Sequence, residues 1–185
     1  MHNLPHSMKR KIGIYPGTFN PLHAGHISLA EQAFITCGLD EVLFLPERAP
    51  WGKTDVPHID SRVQFAEKIL SDYPNFRIRA LRATPHTFKA HRVELKDIYN
   101  HHTIVLLIGA DTLKTLVRWE DIGLFLKDHE LCVGLRGNET RESVLAQLTH
   151  LESVLAQNIT YHIVETPHRH VSSTKIRSAK TYLPL

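Results

Sequence analysis

The chain has 185 residues, 42% of them hydrophobic and 22% charged; these ordinary globular proportions exclude wholesale disorder and fibrous repeats. No apolar run approaches the ~20 residues of a membrane-spanning helix, and Met1 to Arg10 carries charges but no apolar segment of the kind that marks a secretory signal. With 22 basic and 19 acidic residues the net charge is +3, too mild to argue for nucleic acid but suited to a small anionic ligand.

Domains usually hold ~100–200 residues, so a single domain spanning 1–185 is expected, with residues 1–10 as a flexible start. The two cysteines, Cys37 and Cys132, are too few for a disulfide framework or a four-thiolate zinc site. The 14 histidines show no Cys/His ligand spacing, so no metal bound by the protein is expected. The expected setting is the reducing cytoplasm, with no membrane partner.

Lys11 to Tyr15 predicts a short strand. Ala24 to Cys37 predicts a helix with Ile27, Ala30 and Phe34 on one face and Gly38 closing it. Glu41 to Leu45 predicts a strand, and Pro46 to His58, with three prolines and a glycine, a loop. Ile59 to Ser71 predicts a helix with Val63, Ala66 and Leu70 in phase. Phe76 to Leu81 predicts a weaker strand between Pro74 and Pro85, and Thr87 to Tyr99 a helix. Thr103 to Ile108 is the clearest buried strand, apolar almost throughout. Asp111 to Leu126 predicts a helix with a break at Gly123, Leu131 to Leu135 a strand, and Glu139 to Gln157 a helix. Thr160 to Val164 predicts the last strand, and a short helix starts near Ser172 and Ser173. The hexapeptide ESVLAQ recurs at Glu142–Gln147 and Glu152–Gln157, which is favourable helix composition and not a solenoid repeat. The alternation predicts an α/β fold: a Rossmann-like, doubly wound, mainly parallel sheet of about five to six strands with helices on both faces. Ligands bind such sheets beyond the carboxyl ends of the strands, so the residues that matter are expected there.

After the first strand comes Gly17-Thr18-Phe19-Asn20-Pro21-Leu22-His23-Ala24-Gly25-His26. A glycine and a proline shape the turn. Two histidines three apart at a helix start share one face, so both imidazoles can point at one ligand. Gly25 between them lets a ligand approach the backbone. The helix N-terminus adds partial positive charge and free N–H donors suited to phosphate. Near the C-terminus, Val171-Ser172-Ser173-Thr174-Lys175-Ile176-Arg177 is a good N-cap when taken alone. It also offers hydroxyls and N–H groups to phosphate, with Arg177 on the first turn. Gly52-Lys53-Thr54 is not a phosphate-binding P-loop, because Glu47 stands where its first glycine belongs.

The string from Gly17 to His26 resembles the signature G-T-F-[DN]-P-x-H-x-G-H of the HxGH nucleotidylyltransferase superfamily, with Asn20 where many relatives carry Asp. Val171 to Arg177 resembles that superfamily's second phosphate motif, I-S-S-T-x-I-R, about 145 residues downstream. Ile108-Gly109-Ala110-Asp111-Thr112-Leu113, Trp119 and Leu135-Arg136-Gly137 resemble the nicotinate (nicotinamide) mononucleotide adenylyltransferases in particular. The resemblance implies in-line transfer of AMP from ATP to the 5′-phosphate of the mononucleotide, with release of pyrophosphate, in NAD biosynthesis. It implies that Gly17, Thr18, Phe19, His23, Gly25, His26, Gly109, Asp111, Ser172, Ser173, Thr174 and Arg177 hold ATP. Of these, His23, His26, Thr18 and Arg177 act on the transferring and leaving phosphates. Lys53, Thr87, Trp119 and Arg136 are implied to meet the acceptor. Asp111 reads as a ribose acceptor or a helix N-cap, and Trp119 as a pyridine platform or a packing aromatic. Mg²⁺ is expected on the ATP phosphates, with few or no protein ligands.

Pro46 to Lys53 replaces the family's P-P-H-K loop, and Pro85-His86-Thr87 its S-Y-T stretch. Two alternatives follow. Tyr15-Pro16-Gly17-Thr18-Phe19 also resembles phosphopantetheine adenylyltransferases, although these usually replace the first histidine, intact here as His23. The other alternative is a nucleotide-binding protein that has lost turnover. Small-molecule nucleotides are the expected partners; a homo-oligomer is compatible with the sequence, which does not set the oligomeric state.

Overall fold

A computed structural model describes residues 9–50, 53–82 and 92–181. Its framework is six strands: β1 Lys11–Gly17, β2 Glu41–Pro46, β3 Phe76–Ile78, β4 Thr103–Gly109, β5 Glu130–Gly134 and β6 Thr160–Val164. They lie in the order β3-β2-β1-β4-β5-β6, and each neighbouring pair is parallel. The helices are α1 Ala24–Cys37, α2 Ile59–Leu70, α3 Lys96–His101, α4 Ala110–Leu116, α5 Ile122–Asp128, α6 Arg141–Leu155 and α7 Ser173–Thr181. This is the Rossmann-like, doubly wound arrangement, and the chain changes direction of travel across the sheet between β1 and β4.

The four inner strands, β2, β1, β4 and β5, are apolar on both faces because each face is covered. Val42 and Phe44 of β2 join Val105, Leu107 and Cys132 in a layer sealed by Ala30 and Ala33 of α1 and Ala66 and Leu70 of α2. Leu43 and Leu45 point the other way. They join Ile104, Leu106 and Val133 under Leu113 and Leu116 of α4, Phe125 of α5 and Leu148 of α6. The two-residue period of the strands thus divides one apolar sequence between two cores. Cys37 and Cys132 sit in the first layer as free, buried thiols.

Several boundaries differ from those expected. The segment Asp111 to Leu126 is two helices, α4 and α5, and the break falls at Val117–Asp121, not at Gly123. There the chain turns through Asp121, whose φ is 61°, and Trp119 packs against the core. β3 stops at Ile78, short of Leu81. The helix expected over Thr87–Tyr99 is helical at 92–94, breaks at Leu95, the N-cap of α3, and resumes as α3 to His101, while its start, with Thr87, lies outside the described residues. Thr140 caps α6 by accepting from the Ser143 N–H, so that helix begins after Glu139. Among the described residues no helix is long and apolar enough to cross a membrane.

Candidate active site

β1 delivers the chain to a turn at Gly17–Phe19. Phe19 has φ 47°, a left-handed conformation that costs a residue with a Cβ about 1–2 kcal/mol. Its ring is buried and meets Tyr15, His26 and Phe44 edge-on at 5.6, 5.1 and 5.5 Å, which holds the conformation in place. α1 then starts with its two histidines as a reciprocal cap. His23 Nδ1 accepts from the Gly25 N–H at 3.1 Å, and His26 Nδ1 accepts from the His23 N–H at 3.3 Å. The rings stack with centroids 3.7 Å apart.

An acceptor at Nδ1 assigns the ring proton of each neutral imidazole to Nε2. Both rings are held neutral. Burial, aided by the Arg136 charge, lowers the His23 pKa to about 4. Burial, then His23, Arg136 and Lys53, pushes His26 well below its ordinary value. His26 therefore offers an Nε2–H donor without needing a charge. The His23 Nε2 is buried and finds no partner among the described residues.

A cleft of about 250 Å³ opens at the carboxyl ends of β1 and β4. Its floor is Tyr15 to Phe19 together with His26, and its β4 wall is Ile108, Gly109, Asp111, Thr112 and Trp119. Ser172, Ser173 and Thr174 at the start of α7 close the third side, and Glu47, Lys53 and Arg136 complete the lining. Lys53 Nζ donates to Thr18 Oγ1 at 2.6 Å, and Thr18 Oγ1 donates to Glu47 Oε2 at 3.2 Å. Arg136 faces Asp111 at 3.6 Å. A wider groove of about 600 Å³ continues from Asp111, Arg136 and Ser172 past Arg169 and Lys175.

The fold thus brings together Gly17, Thr18, Phe19, His26, Lys53, Gly109, Asp111, Trp119, Arg136, Ser172, Ser173 and Thr174. His23 stands behind His26 and does not line the cleft. Gly25 faces protein: a Cβ there would lie 3.1 Å from the His168 carbonyl oxygen and 3.1 Å from the His23 ring. Arg177 is on the second turn of α7; its NH1 donates to the Asn20 carbonyl at 2.6 Å, tying the helix to the turn. Asp111 is not the N-cap of α4, a place taken by Gly109, but lies on the first turn. Trp119 packs on the core and also lines the cleft. Arg48, the other basic residue between Pro46 and Lys53, donates to the Leu81 carbonyl instead of entering the cleft. Thr87 lies outside the described residues.

Tyr15, Pro16, Ile108, Thr112 and Glu47 also line the cleft and were not among the expected site residues; they lie in or just beyond the carboxyl ends of β1, β4 and β2, within reach of the carboxyl-end rule. Sequence reading also missed Arg62, which is 4% exposed. Arg62 donates to the carbonyls of Thr18, Glu47 and Pro57 at 2.6, 2.7 and 2.9 Å.

Residues 14–179 match the cytidylyltransferase-like family. A probable nicotinate-nucleotide adenylyltransferase of Carboxydothermus hydrogenoformans is 34% identical over 172 residues, 90% of this chain and 84% of that protein. The nicotinate-nucleotide adenylyltransferase of Bacillus subtilis is 34% identical over 116 residues, 60% of this chain and 61% of that one. The fold is similar to that of Plasmodium falciparum nicotinic acid mononucleotide adenylyltransferase complexed with APC, with TM-score 0.69 at 15% identity over 91% of this chain and 83% of that chain. The chain belongs to the cytidylyltransferase-like family and, within it, to the nicotinate-nucleotide adenylyltransferases.

Proposed function

We propose that this nucleotidyltransferase joins the AMP moiety of ATP to nicotinate or nicotinamide mononucleotide and releases pyrophosphate, a step of NAD biosynthesis. The observation that carries the reading is one cleft in which His26, Lys53, Arg136 and the N-terminus of α7 converge. These are donors and cations arranged around a space for polyanions. The mononucleotide's 5′-phosphate is already an anionic nucleophile at neutral pH, so the protein's work is to align two phosphates and stabilise the charge that builds up between them.

In this reading the Gly17–Phe19 turn and Thr18 hold the α-phosphate, and His26 donates from Nε2 to the transferring group. His23 keeps His26 oriented through the cap. Ser172, Ser173 and Thr174 grip the leaving phosphates, with Arg177 holding their helix to the turn. Gly109 and Asp111 meet a ribose, Trp119 stacks the pyridine ring, and Lys53 and Arg136 neutralise charge. The groove beyond Arg136 gives the second nucleotide room that the cleft by itself lacks. Among the described residues no three His, Cys, Asp or Glu side chains group to hold a metal ion. Glu47 and Asp111 already face Thr18 and Arg136. That donor set fits Mg²⁺ carried on phosphate oxygens, where it would neutralise charge on the triphosphate.

The test is pyrophosphate release from ATP and Mg²⁺ with nicotinate mononucleotide, nicotinamide mononucleotide and phosphopantetheine in parallel. Release with a pyridine mononucleotide, cut at least ~10²-fold by His26→Ala, is the expected outcome. Release with phosphopantetheine alone, or ATP binding without release in any arm, would replace the reading.

A further inference from the structure

Among the described residues Arg62 is the only buried lysine or arginine. Its guanidinium meets three backbone carbonyls from separate segments: Thr18 after β1, Glu47 after β2 and Pro57 before α2. We infer that Arg62 is a positioning residue for adenylyl transfer, holding the Thr18–Phe19 peptide with its carbonyl turned away from the cleft and its N–H turned toward it. The inference rests on the proposed function.

The geometry follows from peptide planarity. Thr18–Phe19 is a trans peptide, so its C=O and N–H point in opposite directions. Arg62, which does not line the cleft, holds the carbonyl through NH1 at 2.6 Å. The preceding carbonyl, of Gly17, is held by the Glu47 N–H at 3.0 Å, at the end of β2. Each trans peptide then sends its N–H, of Thr18 or of Phe19, opposite to a carbonyl already held by Glu47 or Arg62, the arrangement of an anion-binding turn. Glu47 is held in turn by Arg62 NH2, so one guanidinium fixes both halves of the arrangement.

A peptide flip at Thr18–Phe19 would aim a carbonyl dipole at the triphosphate. Phe19 stands in a strained conformation whose ring is fixed by its aromatic neighbours, and the Arg62 bond fixes the peptide plane before it. Arginine suits that task because its planar fork reaches three acceptors at fixed angles; an ammonium at the end of a lysine does not. These three hydrogen bonds of the guanidinium all go to neutral carbonyls. Burial lowers its pKa and the nearby Glu47 charge raises it, and arginine remains a cation behind the turn.

The test uses the full chain with Arg62→Lys and Arg62→Ala beside wild type. It reads kcat and KM for each substrate, ATP affinity by calorimetry, the folded fraction, and rescue by millimolar guanidinium. Per folded molecule, kcat is expected to fall about 10²-fold in both variants, the cost of a misplacement on the order of 1 Å at the reacting centre. The KM for the mononucleotide should move far less, and guanidinium should restore part of the loss in Arg62→Ala but not in Arg62→Lys. A folded Arg62→Lys with wild-type kcat would overturn the inference, as would a loss in Arg62→Ala explained entirely by unfolding. If wild type transfers AMP to neither mononucleotide, the proposed function fails by itself. ATP affinity then decides the inference: weaker binding in Arg62→Lys supports it and equal binding overturns it.

Discussion

The Nδ1 atoms of His23 and His26 are both engaged as acceptors in the cap of α1. Protonating either one would set an N–H against an N–H, which adds a structural reason, beside burial and the Arg136 charge, for their low pKa values. Stability should carry the mark of this. The folded pKa of His23, about 4, lies below the ordinary 6.5, so the unfolded chain binds more protons between those values. The stabilisation from the neutral ring is therefore complete above pH 6.5 and is lost as pH falls through 4. His23→Asn keeps an N-cap of the preferred kind and removes the titration. The thermal midpoint of wild type should fall more steeply between pH 6.5 and 4 than that of the variant. Equal slopes in a pH series of thermal melts would mean that His23 is not the group responsible. The histidines were legible in the sequence because their spacing and the flanking turn are local. Arg62 was not: the buried stripe of α2 runs through Ile59, Arg62, Ala66 and Leu70, whereas apolar periodicity selects Val63 and leaves the arginine to solvent.

α1 positions His26, and its own position is set by how closely it approaches β5. Gly134 makes that approach possible: a Cβ there would lie 2.4 Å from Leu29 Cδ1 and 2.6 Å from Leu29 Cγ. Leu29 is three residues beyond His26 and fully enclosed, so α1 itself has to shift. Gly134→Ala is expected to cost about 1–3 kcal/mol through overpacking. For a chain of this size that is a drop of roughly 2–4 °C in midpoint per kcal/mol. Because the displaced helix carries the cap histidines, kcat should fall in the folded variant as well, which thermal melts and steady-state rates would check together. An unchanged rate would separate α1 placement from catalysis. At this scale the sequence was most informative where one element determines its own limits. α1 begins at the paired histidines and ends at Gly38 in the left-handed conformation, as its residues imply. The break between α4 and α5 was misplaced because the apolar period runs on through it; the turn depends on Trp119 reaching a core built from other strands.

Across the whole molecule, the cleft joins parts of the chain that are far apart in sequence. The turn after β1 and the start of α7 are linked by Ser173 Oγ to the Pro21 carbonyl at 3.1 Å and by Arg177 to the Asn20 carbonyl. The sheet is complete at Val164, and no residue of α7 contributes to either apolar core among the described residues. The loop before it is held separately, by Arg169 donating to the carbonyls of Gly137 and Glu139. The proposed ligand site and the folding core are thus separable at the C-terminal end. A chain ending after His170 should keep the far-ultraviolet circular dichroism of a parallel α/β protein and a cooperative thermal transition. What it should lose is the response to ATP. A nucleotide at a hundred times its Kd stabilises the native state by about 2.7 kcal/mol, or roughly 5–10 °C of midpoint here. The full chain should show that shift with ATP and Mg²⁺, and the shortened chain little or none. If the shortened chain still shifted by the full amount, the start of α7 would not be where the triphosphate is gripped, and the roles given to Ser172, Ser173 and Thr174 would pass to the Gly17–Phe19 turn and the basic residues around it.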